Sequence, residues 1–275
     1  MNAGVLPALL LSTGAGLSTA LGGLIALFSK KNDTRFLALS LGFSAGVMVT
    51  VSFAELIPEA QKSLASAHCS NGATITALCF VFGVLLAILI DCLIPNHEKK
   101  TPTAIAFDGN RKKAAFTGAA GAGITAVMMR MGIVTAVAIT VHNFPEGIAT
   151  FMAGYSDIRL GLPVALSIAM HNIPEGIAVA VPVYYGTGSR GRAFLYSALS
   201  GLSEPLGALA TYFCLAPFLN GATLGGVFAV VAGIMIYIAF GELVPASERY
   251  RHPRAAVAGI LGGAVFMLVA MMAFA

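Results

Sequence analysis

Eight apolar runs, each about long enough to cross a lipid bilayer, leave this chain few folds to choose from. They lie near residues 5–28, 36–58, 73–94, 132–154, 160–184, 193–216, 223–245 and 255–274, separated by polar or Gly/Pro punctuation. In a chain of 275 residues this leaves little sequence for a soluble domain. A composition that is 57% hydrophobic and only 10% charged could not cover a globular core with polar surface. The expectation is a single polytopic, all-α membrane domain spanning residues 1–275, with a cytoplasmic loop at about 95–131. The first run lacks a basic leader and is long enough to span, so it reads as a retained helix rather than a signal peptide. The Gly/Ala-rich stretch 114–127 reads as a flexible or partly helical loop rather than a ninth helix. Cys69, Cys79, Cys92 and Cys214 show no CxxC spacing, which predicts core packing and neither a disulfide framework nor a thiolate metal site.

The net charge of +4 is a topology signal. With the N-terminus outside, all of the 16 Lys and Arg residues except Lys62 and Arg159 fall on the inner side. That is the positive-inside bias expected of eight helices with both termini extracytoplasmic, and a ninth helix would split it. The chain therefore reads as a multi-pass protein of the cell (inner) membrane, with the lipid bilayer as its surroundings and no nucleic acid as partner.

The sequence also repeats itself. Residues 45–58, AGVMVTVSFAELIP, match residues 232–245, AGIMIYIAFGELVP. Gly16-Leu17-Ser18 with Leu21-Gly22 matches Gly201-Leu202-Ser203 with Leu206-Gly207. Helices 1 and 2 thus correspond to helices 6 and 7, crossing in opposite directions, as in the inverted repeats of many secondary transporters. Between them, helices 4 and 5 share HNFPEG at 142–147 and HNIPEG at 171–176. The plan expected is 3 + 2 + 3, with the duplicated polar motif at its centre.

Glu146, Glu175 and Glu204 fall near the middle of helices 4, 5 and 6, and no Lys or Arg is expected inside any span. An ionised carboxylate at that depth costs roughly 2.5 to 3.5 kcal/mol, and three on the order of 10 kcal/mol, without a counter-ion. Either the glutamates carry protons or an external cation balances them. His142 and Glu146 stand four apart on one face of helix 4, and His171 and Glu175 repeat this on helix 5. Facing antiparallel helices would present two imidazoles and two carboxylates to one point, with the amides of Asn143 and Asn172 beside it. Pro145 and Pro174 cannot donate to the carbonyls of Val141 and Met170, which predicts kinks there, and Gly147 and Gly176 permit close helix approach. Mixed N/O ligation suits zinc, iron(II), manganese, cobalt or cadmium; the lack of Cys disfavours copper(I), and the imidazoles disfavour magnesium and calcium. One histidine and one proline would read as a packed kink; two copies of H-N-x-P-E-G with a third buried glutamate in S-E-P do not.

These residues resemble the ZIP (Zrt/Irt-like) metal-ion transporters, in particular a bacterial group of them, over essentially the whole chain. The resemblance implies transport of divalent metal into the cytoplasm, with no prosthetic group and the metal itself, Zn2+ or Fe2+ and also Mn2+, Co2+ or Cd2+, bound as cargo. It implies a binuclear centre: His142, Glu146, His171 and Glu175 at one metal, and Asn143, Asn172 and Glu204 with the shared glutamates at the second. It further implies an elevator-like motion of helices 1, 4, 5 and 6 against the rest. One feature departs from the family: many relatives carry a histidine-rich loop between helices 3 and 4, and here that loop has only His97.

Other acids are weaker candidates. Glu55 and Glu59 close helix 2 outside and Glu242 closes helix 7 inside, where they could guide cations; Asp91, His97 and Glu242 could form a release site. His68 and His252 read as solvated loop residues, and Met267, Met271 and Met272 as lipid-facing or core packing. An intramembrane metalloprotease would need HExxH, which this chain lacks, so no enzyme is expected. The stronger rival is a proton-coupled carrier of a small organic substrate, which would not need duplicated imidazoles. The oligomeric state is not legible, with a homodimer among the options.

Overall fold

A computed structural model describes residues 4–28, 33–93, 119–218, 220–248 and 252–274. The described residues form helices and short turns, with no strand among them. We number the helices α1 (Val5–Phe28), α2 (Thr34–Ser66), α3 (Gly72–Leu93), α4 (Ala119–Ser156), α5 (Ile158–Thr187), α6 (residues 190–218), α7 (Gly221–Glu248) and α8 (Pro253–Phe274). All but α6 are continuous, long and apolar enough to cross a membrane.

Local chemistry sets the starts. Asp33, Asp157 and Ser189 each accept a first-turn N–H, from Phe36, Arg159 and Arg192, at the heads of α2, α5 and α6. Asn220 and Thr223 form a reciprocal capping box at the head of α7. Gly188 ends α5 in the left-handed conformation, φ 69°, its N–H donating to the Tyr184 carbonyl.

Prolines set the irregularities. Pro58, Pro217 and Pro245 each stand two residues beyond a π-helical turn, at Ser52–Leu56, Thr211–Leu215 and Ile238–Leu243. A proline ring crowds the carbonyl four residues back, and a widened turn with i→i−5 bonds relieves the clash. Ile57 N–H accordingly donates to Ser52 O, and Val244 N–H to Ala239 O. Helix α6 is interrupted at Leu202, so Pro205 sits in the first turn of the segment Ser203–Ala210, where its missing N–H is cheap. The helix restarts there rather than bending through a continuous run.

Residues 119–131 are not loop but the first turns of α4, continuous with the helix that carries His142. Arg130 therefore lies within a helix long and apolar enough to cross a membrane, where no cation was expected. Helix α2 also runs on to Ser66, so Glu55 and Glu59 lie inside it rather than at its end.

The helices sort into two groups. Helices α1, α4, α5 and α6 pack chiefly on one another, while α2 packs on α8, α3 on α7, and the last turns of α2 on α7. Helix α5 also meets α2 and α8, and its residues 174–186 are all buried. Glycines bring backbones together in matched pairs. A Cβ on Gly147 would strike the Glu204 backbone and one on Gly207 the Phe144 carbonyl, joining α4 to α6. On the other side, a Cβ on Gly176 would strike the Thr19 carbonyl and one on Gly22 the Ile173 carbonyl, joining α5 to α1. These four positions correspond pairwise under the offsets of the sequence repeats.

Candidate metal centre

All seven residues singled out from the sequence are buried at the junction of α4, α5 and α6: His142, Asn143, Glu146, His171, Asn172, Glu175 and Glu204 are each 0–2% exposed. The i, i+4 spacing puts each histidine and glutamate on one helix face, and Gly147 lets α6 approach closely enough to bring Glu204 beside them.

The histidine–glutamate contacts cross between helices. His142 Nε2 lies 2.9 Å from Glu175 Oε1, and His171 Nε2 lies 3.2 Å from Glu146 Oε1. Ligand atoms of His142, Glu146 and Glu175 all fall within 4.8 Å of one another, a spacing one cation can bridge. His171 joins the group through Glu146 rather than lying within that spacing.

The two asparagines, equivalent by sequence, differ in the fold. Asn172 Nδ2 donates to the Ala15 carbonyl at 2.9 Å and to Glu204 Oε1, which ties α5 to both α1 and α6. Both amide atoms of Asn143 are buried without a protein partner. So are Glu146 Oε2, Glu175 Oε2, Glu204 Oε2 and Nδ1 of both imidazoles. Buried polar groups are costly unless satisfied, and an unpaired ionised carboxylate most of all. A cluster whose free atoms are carboxylate oxygens, an amide and imidazole nitrogens is a donor set for a divalent transition metal.

The outlying candidates divide. Ser167 Oγ donates to Glu55 Oε1 at 3.0 Å across the α5–α2 contact, and Glu55 Oε2 is buried without a protein partner. Glu59 pairs with Lys62 on the exposed surface, a solvated ion pair. Asp91 and Glu242 do come together, but around Arg130: its Nη2 lies 2.5 Å from Asp91 Oδ1, its Nη1 3.7 Å from Glu242 Oε1, and Tyr237 OH donates to Asp91 Oδ2 at 2.9 Å. His97 lies outside the described residues. His252 is not merely solvated, since its Nε2 lies 3.2 Å from Thr34 Oγ1. His68 turns the chain after α2 with φ 56°. Met267 is buried and Met272 faces outward. The four cysteines are free.

Arg130 is the residue the sequence reading missed. A signal for it exists: Arg130-Met131-Gly132 and Arg159-Leu160-Gly161 stand at the same offset as the two HN-x-PEG motifs. The repeat of α4 and α5 therefore begins twelve residues before His142, inside the stretch read as loop.

Known proteins are similar to this chain over nearly its whole length. The family model described as ZIP Zinc transporter matches residues 5–119 and 118–271. A zinc transporter ZupT of Streptococcus mutans is 44% identical over 275 residues, covering 100% of both chains. Those of Chlorobium luteolum and Campylobacter jejuni are 48% and 45% identical, covering 96% of this chain and 97% and 95% of their own. With its buried His/Glu centre, its apolar helices and this end-to-end similarity, the chain belongs to the ZIP zinc transporter family.

Proposed function

We propose that this protein imports divalent transition metals, zinc foremost and also iron(II), manganese, cobalt or cadmium, across the cell membrane into the cytoplasm. The observation that carries the reading is the pair of crossed His–Glu contacts between α4 and α5, set among buried carboxylate oxygens that no protein group satisfies. Names of full-length relatives point to zinc.

In this reading His142, Glu146, His171 and Glu175 hold the first metal, with the two glutamates shared with a second metal that Asn143, Asn172 and Glu204 complete. A cation there offsets the charge of three buried carboxylates, which neither Arg130 nor any other described Lys or Arg reaches. The helices form a 3 + 2 + 3 inverted repeat with both termini outside, supported by the matched glycine contacts and the distribution of Lys and Arg. The packing into two groups supports a movement of α1, α4, α5 and α6 as one body against α2, α3, α7 and α8. Polar contacts bridge these groups at both ends, Ser167 to Glu55 at the outer end and Arg130 to Asp91 and Glu242 at the inner end. The inner acids are thus engaged by a tethered cation rather than standing free as a release site.

The test is flux of a panel of divalent metals into proteoliposomes of the purified protein. Saturable zinc accumulation is expected; accumulation of none of the metals would end the proposal.

A further inference from the structure

The first turns of α2 and α8 lie side by side, and between them opens a cleft of about 500 Å3 lined by Arg35, Leu39, His252, Arg254 and Ala258 among others. Its upper rim is basic. Arg35 and Arg254 are exposed, and neither makes an ion pair among the described residues. The His252 ring is held beside them by Thr34 Oγ1. Asp33, the nearest acid in sequence to Arg35, is turned back to accept the Phe36 N–H at 2.9 Å.

The lower part of the cleft is apolar by the same helical spacing. Leu39 follows Arg35 by four residues on α2, and Ala258 follows Arg254 by four on α8. Each arginine thus stands about 6 Å, just over one helical turn, along its own helix from an apolar step on the same face. The small side chain of Ala258 keeps the step open. Beneath it the two helices are clamped backbone to backbone, since a Cβ on Gly42 would strike the Ala256 carbonyl and one on Gly259 the Leu39 carbonyl. The cleft therefore sits on a fixed seam.

Two unpaired guanidiniums above an apolar step match a ligand with a phosphate at one end and hydrocarbon at the other. A free anion would use only the upper half. We propose that this cleft binds the headgroup of an anionic phospholipid, the phosphate between Arg35 and Arg254 and the glycerol and first acyl carbons over Leu39 and Ala258. In the topology proposed above the cleft opens at the cytoplasmic leaflet, where basic pockets between helices meet anionic lipid. The lipid would brace the α2–α8 seam of the group that lacks the metal centre, so this site and zinc binding are separable.

The experiment is a titration of the purified protein in detergent with dioleoyl phosphatidylglycerol, read by native mass spectrometry and by thermal unfolding. Dioleoyl phosphatidylcholine and inorganic phosphate are the comparison ligands. Phosphatidylglycerol should be retained and should raise the unfolding temperature, while the other two do neither. Arg35→Gln with Arg254→Gln should weaken its binding by roughly thirtyfold, from about a fivefold loss per basic group near the surface. Lys62→Gln with Arg159→Gln should leave it unchanged. Ala258→Leu, which fills the step without touching charge, should also lower retention. Equal retention of phosphatidylcholine, or wild-type retention in the Arg35/Arg254 variant, overturns the site. Equal stabilisation by inorganic phosphate overturns the lipid assignment in favour of a free-anion site. Zinc content of every variant should match wild type, which keeps this result distinct from failure of the transport reading.

Discussion

Gly147→Ala tests whether helix contact, as much as ligand chemistry, builds the centre. The new Cβ would lie 2.6 Å from the Glu204 carbonyl carbon and 2.7 Å from its Cα. Carbon atoms in contact sit about 3.5 to 4.0 Å apart, so α4 and α6 must separate locally by about 1 Å. The obstructing atoms are backbone, so no rotamer change relieves the clash. Overpacking of this kind costs about 1 to 3 kcal/mol. In the proposed centre the functional cost is sharper, because metal–ligand distances hold to within about 0.2 Å and Glu204 is the residue pushed away. Gly14→Ala on α1 is the control: its Cβ meets nothing within 4 Å, and the helix gains up to about 1 kcal/mol in propensity. Both proteins are purified in one detergent and compared by thermal unfolding and by zinc per chain. Gly147→Ala should unfold earlier and lose zinc, while Gly14→Ala should unfold no earlier than wild type and keep its zinc. Indistinguishable behaviour of the two variants would refute the argument.

Glu204→Gln keeps shape and removes one charge from the second metal only, so it should bind one zinc per chain where wild type binds two, counted by elemental analysis; an unchanged count places Glu204 outside the centre. Arg130→Gln leaves Asp91 and Glu242 without their guanidinium, a loss of about 1 to 3 kcal/mol once their partial exposure is allowed for, and Arg130→Lys should recover part of it in unfolding measurements. Acidification should weaken zinc binding, because protons compete for imidazole and carboxylate donors, and isothermal titration between about pH 7 and 5.5 should show the dissociation constant rising.

The polar centre was legible because its chemistry is local. Four-residue spacing of His142 to Glu146 and of His171 to Glu175 places each pair on one face whatever the rest of the chain does. The ends of α1 were legible for a similar reason, since an apolar run bounded by polar residues defines them. What was not legible depends on partners distant in sequence. That His142 meets Glu175 and His171 meets Glu146 follows from how α4 and α5 cross, which spacing within one helix does not encode. That Asn172 meets Ala15 and Glu204 while the Asn143 amide meets no protein partner depends on α1 and α6, which differ at the equivalent positions Thr19 and Glu204. The start of α4 was hidden because Gly and Ala between residues 114 and 127 lower apolarity, although Ala itself favours the helix that forms from Ala119 onward. The π turns had a readable cause in Pro58, Pro217 and Pro245, but whether a helix kinks, restarts or widens at a proline is decided by packing.

The role proposed for Glu146 of α4 and Glu175 of α5 is to hold the transported metal. Its most direct test is zinc uptake by proteoliposomes containing equal amounts of wild type, Glu146→Ala or Glu175→Ala, each inserted normally. Each substitution removes charge from both proposed metals and leaves a crossed histidine without its partner. The account predicts uptake below about a tenth of wild type for both variants, in keeping with the loss of a charged partner from a buried site. Uptake near the wild-type level by either would contradict it.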